Sequence, residues 1–90
     1  MRCFEVYVSG RVQGVGFRWF ARQEAQRFGI CGHVKNLYDG RVEVVACGDD
    51  TALEGFLFAL RQGNGYAHVT GLNRQEIPSS PTHEGFRIVH

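Results

Sequence analysis

The chain of 90 residues predicts an α+β fold, a two-layer sandwich in which two helices cover one face of a mostly antiparallel sheet. Three observations predict it. Several short segments alternate apolar and polar side chains, as half-buried strands do, and two longer segments carry apolar residues at helical spacing. These segments follow one another in the order β-α-β-β-α-β, with a short extra strand at the end. The length suits one domain spanning residues 1–90.

The first strand and the first helix enclose a glycine-rich turn. Residues 3–9 alternate apolar and polar side chains, which predicts a half-buried strand. Residues 17–28 carry an apolar stripe at helical spacing, and Gly29 is placed to end that helix. Residues 10–16 therefore form the turn that leads from the strand into the helix.

A hairpin follows the first helix. Residues 30–36 and 41–47 have strand patterns, and the Asp-Gly pair within residues 37–40 is typical of a hairpin turn. A right-handed crossover makes the first two strands parallel, with the third between them, which is the ferredoxin-like arrangement. The ends of the first two strands then open at the same edge of the sheet. Asn36 should therefore lie near the glycine-rich turn, on the face that carries the helices.

The remaining segments complete the predicted order. The second helix has three cap candidates: Asp49, Asp50 and Thr51. Its apolar face has i, i+3, i+4, i+7 spacing: Leu53, Phe56, Leu57 and Leu60. Gly63-Asn64-Gly65 ends that helix. Residues 67–77 predict a fourth strand, residues 78–83 a surface loop, and residues 86–89 a short fifth strand.

The glycine-rich turn is a candidate anion site. Backbone N–H groups and the positive end of the helix dipole point the same way at such a turn. Arg18, in the first helical turn, adds a planar fork that matches a phosphate. The turn is neither a Walker loop nor a dinucleotide fingerprint, since Trp19 stands where the third glycine would be. Taken alone, it also fits an ordinary turn with a surface arginine, and Asn36 alone fits a residue that opens a hairpin.

Composition excludes several classes of function. A net charge of +1 argues against a dedicated nucleic-acid surface. The sequence has no run of 18 apolar residues, so it predicts no membrane span. No signal-peptide core precedes the first strand. We therefore expect a cytoplasmic protein. Cys31-x-His33 is the nearest approach to a metal-ligand pair, and without a second pair it predicts no metal site.

The cysteines raise a separate question. Antiparallel pairing of the first and third strands can place Cys3 opposite Cys47, with Tyr7 opposite Glu43. Two cysteines in that position can form a cross-strand disulfide. A reducing cytosol favours two free thiols instead.

Two motifs resemble the signatures of the acylphosphatase family. The first is Gly10-Arg11-Val12-Gln13-Gly14-Val15-Gly16-Phe17-Arg18, and the second is Gly32-His33-Val34-Lys35-Asn36-Leu37-Tyr38-Asp39-Gly40-Arg41-Val42-Glu43. The resemblance implies hydrolysis of the mixed anhydride between a carboxylic acid and phosphate, without a cofactor. It implies that Arg18 and the loop amides hold the phosphoryl group, and that Asn36 positions the attacking water. The implied substrate-binding residues are Gln13, Gly14, Val15, Gly16, Phe17 and Arg18.

The resemblance also fixes what else to expect. The family commonly has a Gly-Pro pair where this chain has Gly63-Asn64-Gly65, so we expect a looser turn that does not touch the site. The same module opens the large hydrogenase-maturation carbamoyltransferases, but without their zinc-finger segments a free-standing enzyme is the expectation. The small size and charged surface favour a monomer. The partner is then a small acyl phosphate, with neither nucleic acid nor membrane.

The alternative is a non-catalytic ferredoxin-like module that binds phosphate, RNA or a protein. RNA-binding members stack bases on aromatics of the two central strands. Here Tyr7 is the only aromatic on the exposed face of the first strand, and the third strand has none. Pure phosphate binding has no need of a water-orienting amide at Asn36.

Overall fold

Five strands and two helices follow the predicted order. The structure, a computed structural model, describes residues 1–78 and 84–90. The elements are β1 (Arg2–Arg11), α1 (Phe17–Phe28), β2 (Cys31–Asn36), β3 (Val42–Gly48), α2 (Asp50–Gln62), β4 (His68–Ile77) and β5 (Phe86–Val89). The predicted fold class is confirmed, and α1 and β5 have the predicted bounds. Residues 79–83 of the predicted surface loop lie outside the described residues.

The sheet has the strand order β4-β1-β3-β2-β5. β3 pairs antiparallel with both β1 and β2, as predicted, while β5 adds a parallel edge beside β2. α1 packs over β2 and β5, and α2 packs over β3 and β4. The connection from β1 to α1 must therefore cross the end of the sheet, and it passes over the point where β2 ends.

The core lies between the sheet and the two helices. Alternate residues of β1 are buried, with Val6 and Val8 fully inaccessible. The helical faces are buried against them, and the buried helical residues are Phe17, Ala21, Ala25, Leu53, Phe56, Leu57 and Leu60. Gly55 lies where the helices meet, and a Cβ atom there would collide with the ring of Phe28. A residue that weakens α2 by propensity is thus needed for helix packing.

β1 has a bulge between Ser9 and Gly10 in its pairing with β4, and the pairing continues to Arg11. Gly10 has a φ of 119°, and a Cβ atom there would lie against the carbonyl group of His68. Only glycine fits this position, because both the backbone angle and the close approach exclude a side chain. The bulge redirects the chain toward α1 and so sets the path of the following loop.

At the other end of β1, Cys3 and Cys47 form a disulfide. The β1–β3 register is the one that the sequence predicts, with Tyr7 also opposite Glu43. The structure thus has the cross-strand bond rather than the two free thiols that a reducing compartment favours. Among the described residues, no helix is long and apolar enough to cross a membrane.

Candidate active site

The loop between β1 and α1 presents the start of α1 without any side-chain cap. Gly16 occupies the N-cap position in the left-handed region, with φ 75° and ψ 19°, and provides no capping side chain. The first turn of α1 has no acidic residue either. The free N–H groups and the positive end of the dipole are therefore left for an external anion.

α2 shows what an ordinary start looks like in the same chain. Its N-cap Asp49 accepts a hydrogen bond from the backbone N–H of Ala52 at 2.9 Å, and Asp50 adds a second acidic residue in the first turn. Asp49 is one of the three predicted cap candidates. The two helices differ because α2 neutralises its own N-terminus and α1 does not.

Gly14 gives the loop its second left-handed position. Its φ is 75°, and a Cβ atom there would have open space around it. Glycine is therefore favoured by the backbone angle and not by crowding.

Arg18 extends from the first turn of α1 toward β5 and is half-buried. Its Nη1 lies 3.3 Å from His90 Nδ1 and 3.4 Å from the carbonyl oxygen of Val89. These exposed contacts hold the guanidinium at the edge of the loop while leaving other N–H groups to meet a ligand.

Asn36 ends β2 beneath the same loop. Its Oδ1 is buried and has no hydrogen-bond partner among the described residues. A buried amide oxygen without a partner is costly in a native protein and calls for a donor such as water. Of the described residues, only Asn36 has a buried side-chain nitrogen or oxygen in this state.

Arg18 and Asn36 line one cavity of about 200 Å³ with Gly14, Gly16 and Phe17. That volume is several times the ~30 Å³ that one water occupies in the liquid. The structure therefore brings together most of the residues that the sequence singles out. Of the predicted substrate-binding residues, Gln13 and Val15 do not line this cavity, and Val15 lines a second cavity instead.

The side chain of Gln13 turns away from the cavity. Its Nε2 donates to the carbonyl oxygens of Leu37 at 2.8 Å and Arg41 at 2.9 Å. The amide group thus joins the glycine-rich loop to the hairpin turn that follows Asn36. Only the backbone of Gln13 is left to face a ligand.

Asn64 contacts the loop, so the expectation of a loose turn remote from the site is wrong. Its Nδ2 donates to the carbonyl oxygen of Val15 at 2.8 Å, and its Oδ1 accepts from the backbone N–H groups of Tyr66 and Ala67. An asparagine side chain replaces the rigidity that a Gly-Pro pair would supply. The signal in the sequence was the asparagine between two glycines, which is typical of such a self-bonded turn.

Sequence analysis also missed the part played by the C-terminal strand. Ile88 and His90 line the cavity opposite Gly16. Their position at the cavity depends on the parallel pairing of β5 with β2, which places Ile88 beside Val34. No local motif marks that pairing.

The helix-free face of the sheet is not a stacking platform. The phenol of Tyr7 donates to Glu5 Oε1 at 2.8 Å, and the guanidinium of Arg41 lies 4.8 Å from the centre of its ring. The hydrogen bond to Glu5, then burial and the charges of Glu5 and Glu43, raise the pKa of Tyr7 to about 12. The ring is engaged on this face, which weighs against base stacking.

The described residues contain no group of three His, Cys, Asp or Glu side chains that could hold a metal ion.

The fold and this cavity define a small ferredoxin-like domain with an uncapped helix start, an arginine and an amide gathered at one edge of the sheet. A family model described as Acylphosphatase matches residues 4–88. An acylphosphatase of Archaeoglobus fulgidus is 45% identical over 92 residues, with full coverage of both chains. One from Bacillus subtilis is 42% identical and covers 97% of this chain and 96% of its own.

Solved structures agree with the sequence relatives. The crystal structure of acylphosphatase from Bacillus subtilis superposes with a TM-score of 0.95 at 42% identity, with full coverage of both chains. Full-length HypF, in a phosphate- and nucleotide-bound form, gives a TM-score of 0.88 at 25% identity, but this chain spans only 12% of it. The chain belongs to the acylphosphatase family. It is an enzyme that hydrolyses acyl phosphates to a carboxylate and inorganic phosphate.

Proposed function

We propose that Arg18 and the amides of residues 13–18 hold the phosphoryl group of the acyl phosphate, and that Asn36 orients the attacking water. The observation that carries this proposal is the buried Oδ1 of Asn36, which has no partner among the described residues and belongs to the cavity that Arg18 also lines. The resemblance of both motifs to the family signatures supports the same assignment.

The chemistry needs few groups. A carboxylate leaves without a proton, so the reaction requires no general acid. Phosphoryl transfer passes through a loose transition state, in which catalysis depends on placement and on stabilisation of charge. The Arg18 guanidinium and the uncapped start of α1 supply preorganised positive charge for the equatorial oxygens.

Asn36 orients the attacking water. Its carbonyl oxygen accepts one hydrogen of a water molecule, which leaves a lone pair of that water pointed at phosphorus. The proton that the water loses passes to an oxygen of the substrate's own phosphoryl group. No protein base is assigned. Among the described residues that line the cavity, the only titratable side chains are Arg18 and His90. Arg18 is a cation, and His90 Nδ1 faces Arg18 Nη1 at 3.3 Å.

The proposal includes the setting of the enzyme. It acts as a monomer in the cytoplasm, with residues 1–90 as one domain, and without a metal, a cofactor or nucleic acid. The net charge of +1 supports the absence of a nucleic-acid partner. Gel filtration at working concentration tests the monomer, and activity in EDTA tests independence of metal.

The decisive experiment is hydrolysis of benzoyl phosphate in EDTA by the wild type, Asn36→Ala and Arg18→Gln. Loss of one preorganised donor costs about 10²–10³ in kcat, so we expect both variants to fall by that order with unchanged circular dichroism. Arg22→Gln removes the same charge one turn along α1, on its exposed side, and Asn73→Ala removes an exposed amide of β4. Both controls should keep wild-type turnover. Equal losses in Arg18→Gln and Arg22→Gln would refute the role of Arg18, and full activity in Asn36→Ala would refute that of Asn36.

A further inference from the structure

A second cavity of about 540 Å³ adjoins the first. The two cavities share Gly16 and Trp19 as a common wall. The volume lies within the ~300–1,000 Å³ of small-molecule sites. Its other walls come from the start of α1 and from the turn between α2 and β4.

Two exposed aromatic rings line this second cavity. The exposed fraction of Trp19 is 58% and that of Tyr66 is 77%. Val15 and Phe20 add partly buried apolar side chains to the lining. Rings left open to solvent beside a site are the usual means of binding a flat apolar group.

The second cavity is fixed to the phosphate loop. Asn64 donates from Nδ2 to the Val15 carbonyl at 2.8 Å and accepts from the N–H of Tyr66 at 3.0 Å. The turn that presents Tyr66 is therefore hydrogen-bonded to the loop that holds the phosphoryl group. A ligand spanning both cavities would meet walls of fixed spacing.

The direction of the reaction points to the same place. In an in-line displacement the leaving group departs on the side opposite the attacking water. Asn36 lies on β2, toward the β5 edge of the sheet, whereas Tyr66 precedes β4 at the opposite edge. A leaving carboxylate that moves away from Asn36 therefore moves toward the second cavity.

The lining of the second cavity also sets the chemistry of its ligand. None of the described residues that line it carries a charged side chain, and Gln23 and Asn64 are its only side-chain amides. A second anionic group on the acyl moiety would find no cation there and would lose hydration. An uncharged aromatic or aliphatic acyl group would instead exchange water for ring contacts.

We propose that this second cavity is the acyl subsite, and that the enzyme prefers acyl phosphates with an uncharged aromatic or extended apolar acyl group. The proposal rests on the function proposed above for Arg18 and Asn36. Tyr66 and Trp19 determine the specificity, and they act on binding of the acyl group rather than on the reacting phosphorus.

The test compares benzoyl phosphate with acetyl phosphate, whose methyl group is too small to reach between the rings. In Tyr66→Ala we expect KM for benzoyl phosphate to rise about tenfold, the effect of losing one aromatic contact with its buried area. kcat for benzoyl phosphate should stay near the wild-type value, since this contact is the same in the ground and transition states. The ratio of the two kcat/KM values should fall by the same factor.

Phe58→Ala is the matched control, because Phe58 is an aromatic of α2 with 64% exposure and does not line the second cavity. It should leave the ratio unchanged. Gln23→Lys adds a cation to the cavity and should raise kcat/KM for succinyl phosphate several-fold, a gain that misfolding cannot produce. An unchanged ratio in Tyr66→Ala, or an equal fall in Phe58→Ala, would overturn the acyl subsite. Acetyl phosphate turnover that survives Asn36→Ala would instead overturn the proposed roles at the first cavity.

Discussion

Gln13 Nε2 donates a hydrogen bond of 2.8 Å to the carbonyl oxygen of Leu37, the residue that follows Asn36. The same nitrogen donates to the carbonyl oxygen of Arg41 at 2.9 Å. Gln13 belongs to the glycine-rich loop, so one side chain connects that loop to both ends of the hairpin turn. The distance between the loop amides and the amide of Asn36 is set through this link.

We expect Gln13→Met to lower kcat about tenfold more than it lowers phosphate affinity. Methionine fills a similar volume but donates no hydrogen bond, so the Leu37 and Arg41 carbonyl oxygens each lose one donor and keep a backbone N–H donor within the turn. Each lost hydrogen bond costs about 0.5–1.5 kcal/mol in stability. The hairpin turn then loses its tie to the loop, and Asn36 orients water less well. Steady-state kinetics with competitive inhibition by phosphate separates the two effects. Gln26→Met, on the exposed side of α1, should change neither, and a parallel loss of kcat and phosphate affinity in Gln13→Met would contradict a positioning role.

Gly14→Ala should impair phosphate binding by more than its effect on stability. Gly14 and Gly29 both have left-handed φ angles, 75° and 69°, with open space where a Cβ atom would stand. Alanine costs about 1–2 kcal/mol at either position from the backbone angle alone. Only Gly14 lies in the site, so Gly14→Ala should also raise the inhibition constant for phosphate, whereas Gly29→Ala should not. Urea unfolding and inhibition assays on both variants check this, and the idea fails if the two behave alike.

The position of Asn36 beside the glycine-rich loop could be predicted from the sequence because it follows from backbone rules. The right-handed crossover and the two-residue alternation of β2 place Asn36 beside the loop, on the helix-bearing face. Gly29 in the left-handed region ends α1 where the pattern predicts, for the same backbone reason. These inferences need no knowledge of side-chain torsions.

The remainder depends on contacts that no local pattern encodes. Gln13 and Asn64 reach across the loop through side-chain rotamers, and their partners are main-chain carbonyls far along the chain. His90 reaches Arg18 only because β5 pairs with β2. The disulfide could be predicted only in part. The register that places Cys3 opposite Cys47 was predictable, whereas the oxidation state of the two cysteines was not.

The stability of the protein should fall as the pH rises from about 10 to about 12 through Tyr7. Its folded-state pKa is raised to about 12, first by the hydrogen bond to Glu5, above the value of about 10 in an unfolded chain. The folded state therefore binds more protons in that window, so the stabilisation is complete below pH ~10 and is lost as Tyr7 ionises. Absorbance at a tyrosinate wavelength should show one late-titrating phenol, which Tyr7→Phe removes. Glu5→Gln should move that titration to lower pH, and a titration unaffected by Glu5→Gln would contradict the assigned cause.

Reduction of the Cys3–Cys47 disulfide should destabilise the protein without slowing it. The bond joins residues 44 apart, and constraint of such a loop in the unfolded chain contributes about 4 kcal/mol in the entropic model. Cys3 lies at the start of β1, whereas the glycine-rich loop follows the end of β1, so kcat should be the same with and without reductant. Urea unfolding under both conditions measures the difference. Cys31→Ser changes only the cysteine outside the disulfide, so it should leave the difference in stability between the two conditions unchanged.

In Cys3→Ala, Cys47 should form a disulfide with Cys31 instead. Cys31 and Cys3 flank Cys47 as its cross-strand partners on β2 and β1, so all three side chains lie on one face of the sheet. Cys3 and Cys47 are 4.1 Å apart between Cα atoms, which marks a non-hydrogen-bonded pair, so Cys31 and Cys47 form the hydrogen-bonded type with a Cα separation of about 5.5 Å. That spacing suits a disulfide. Oxidised Cys3→Ala should therefore contain a Cys31–Cys47 bond, detected by peptide mapping. Its residues are 16 apart, so it should contribute about 3 kcal/mol rather than 4. Two alkylated thiols after oxidation would show instead that the β2–β3 pair is held too rigidly to close.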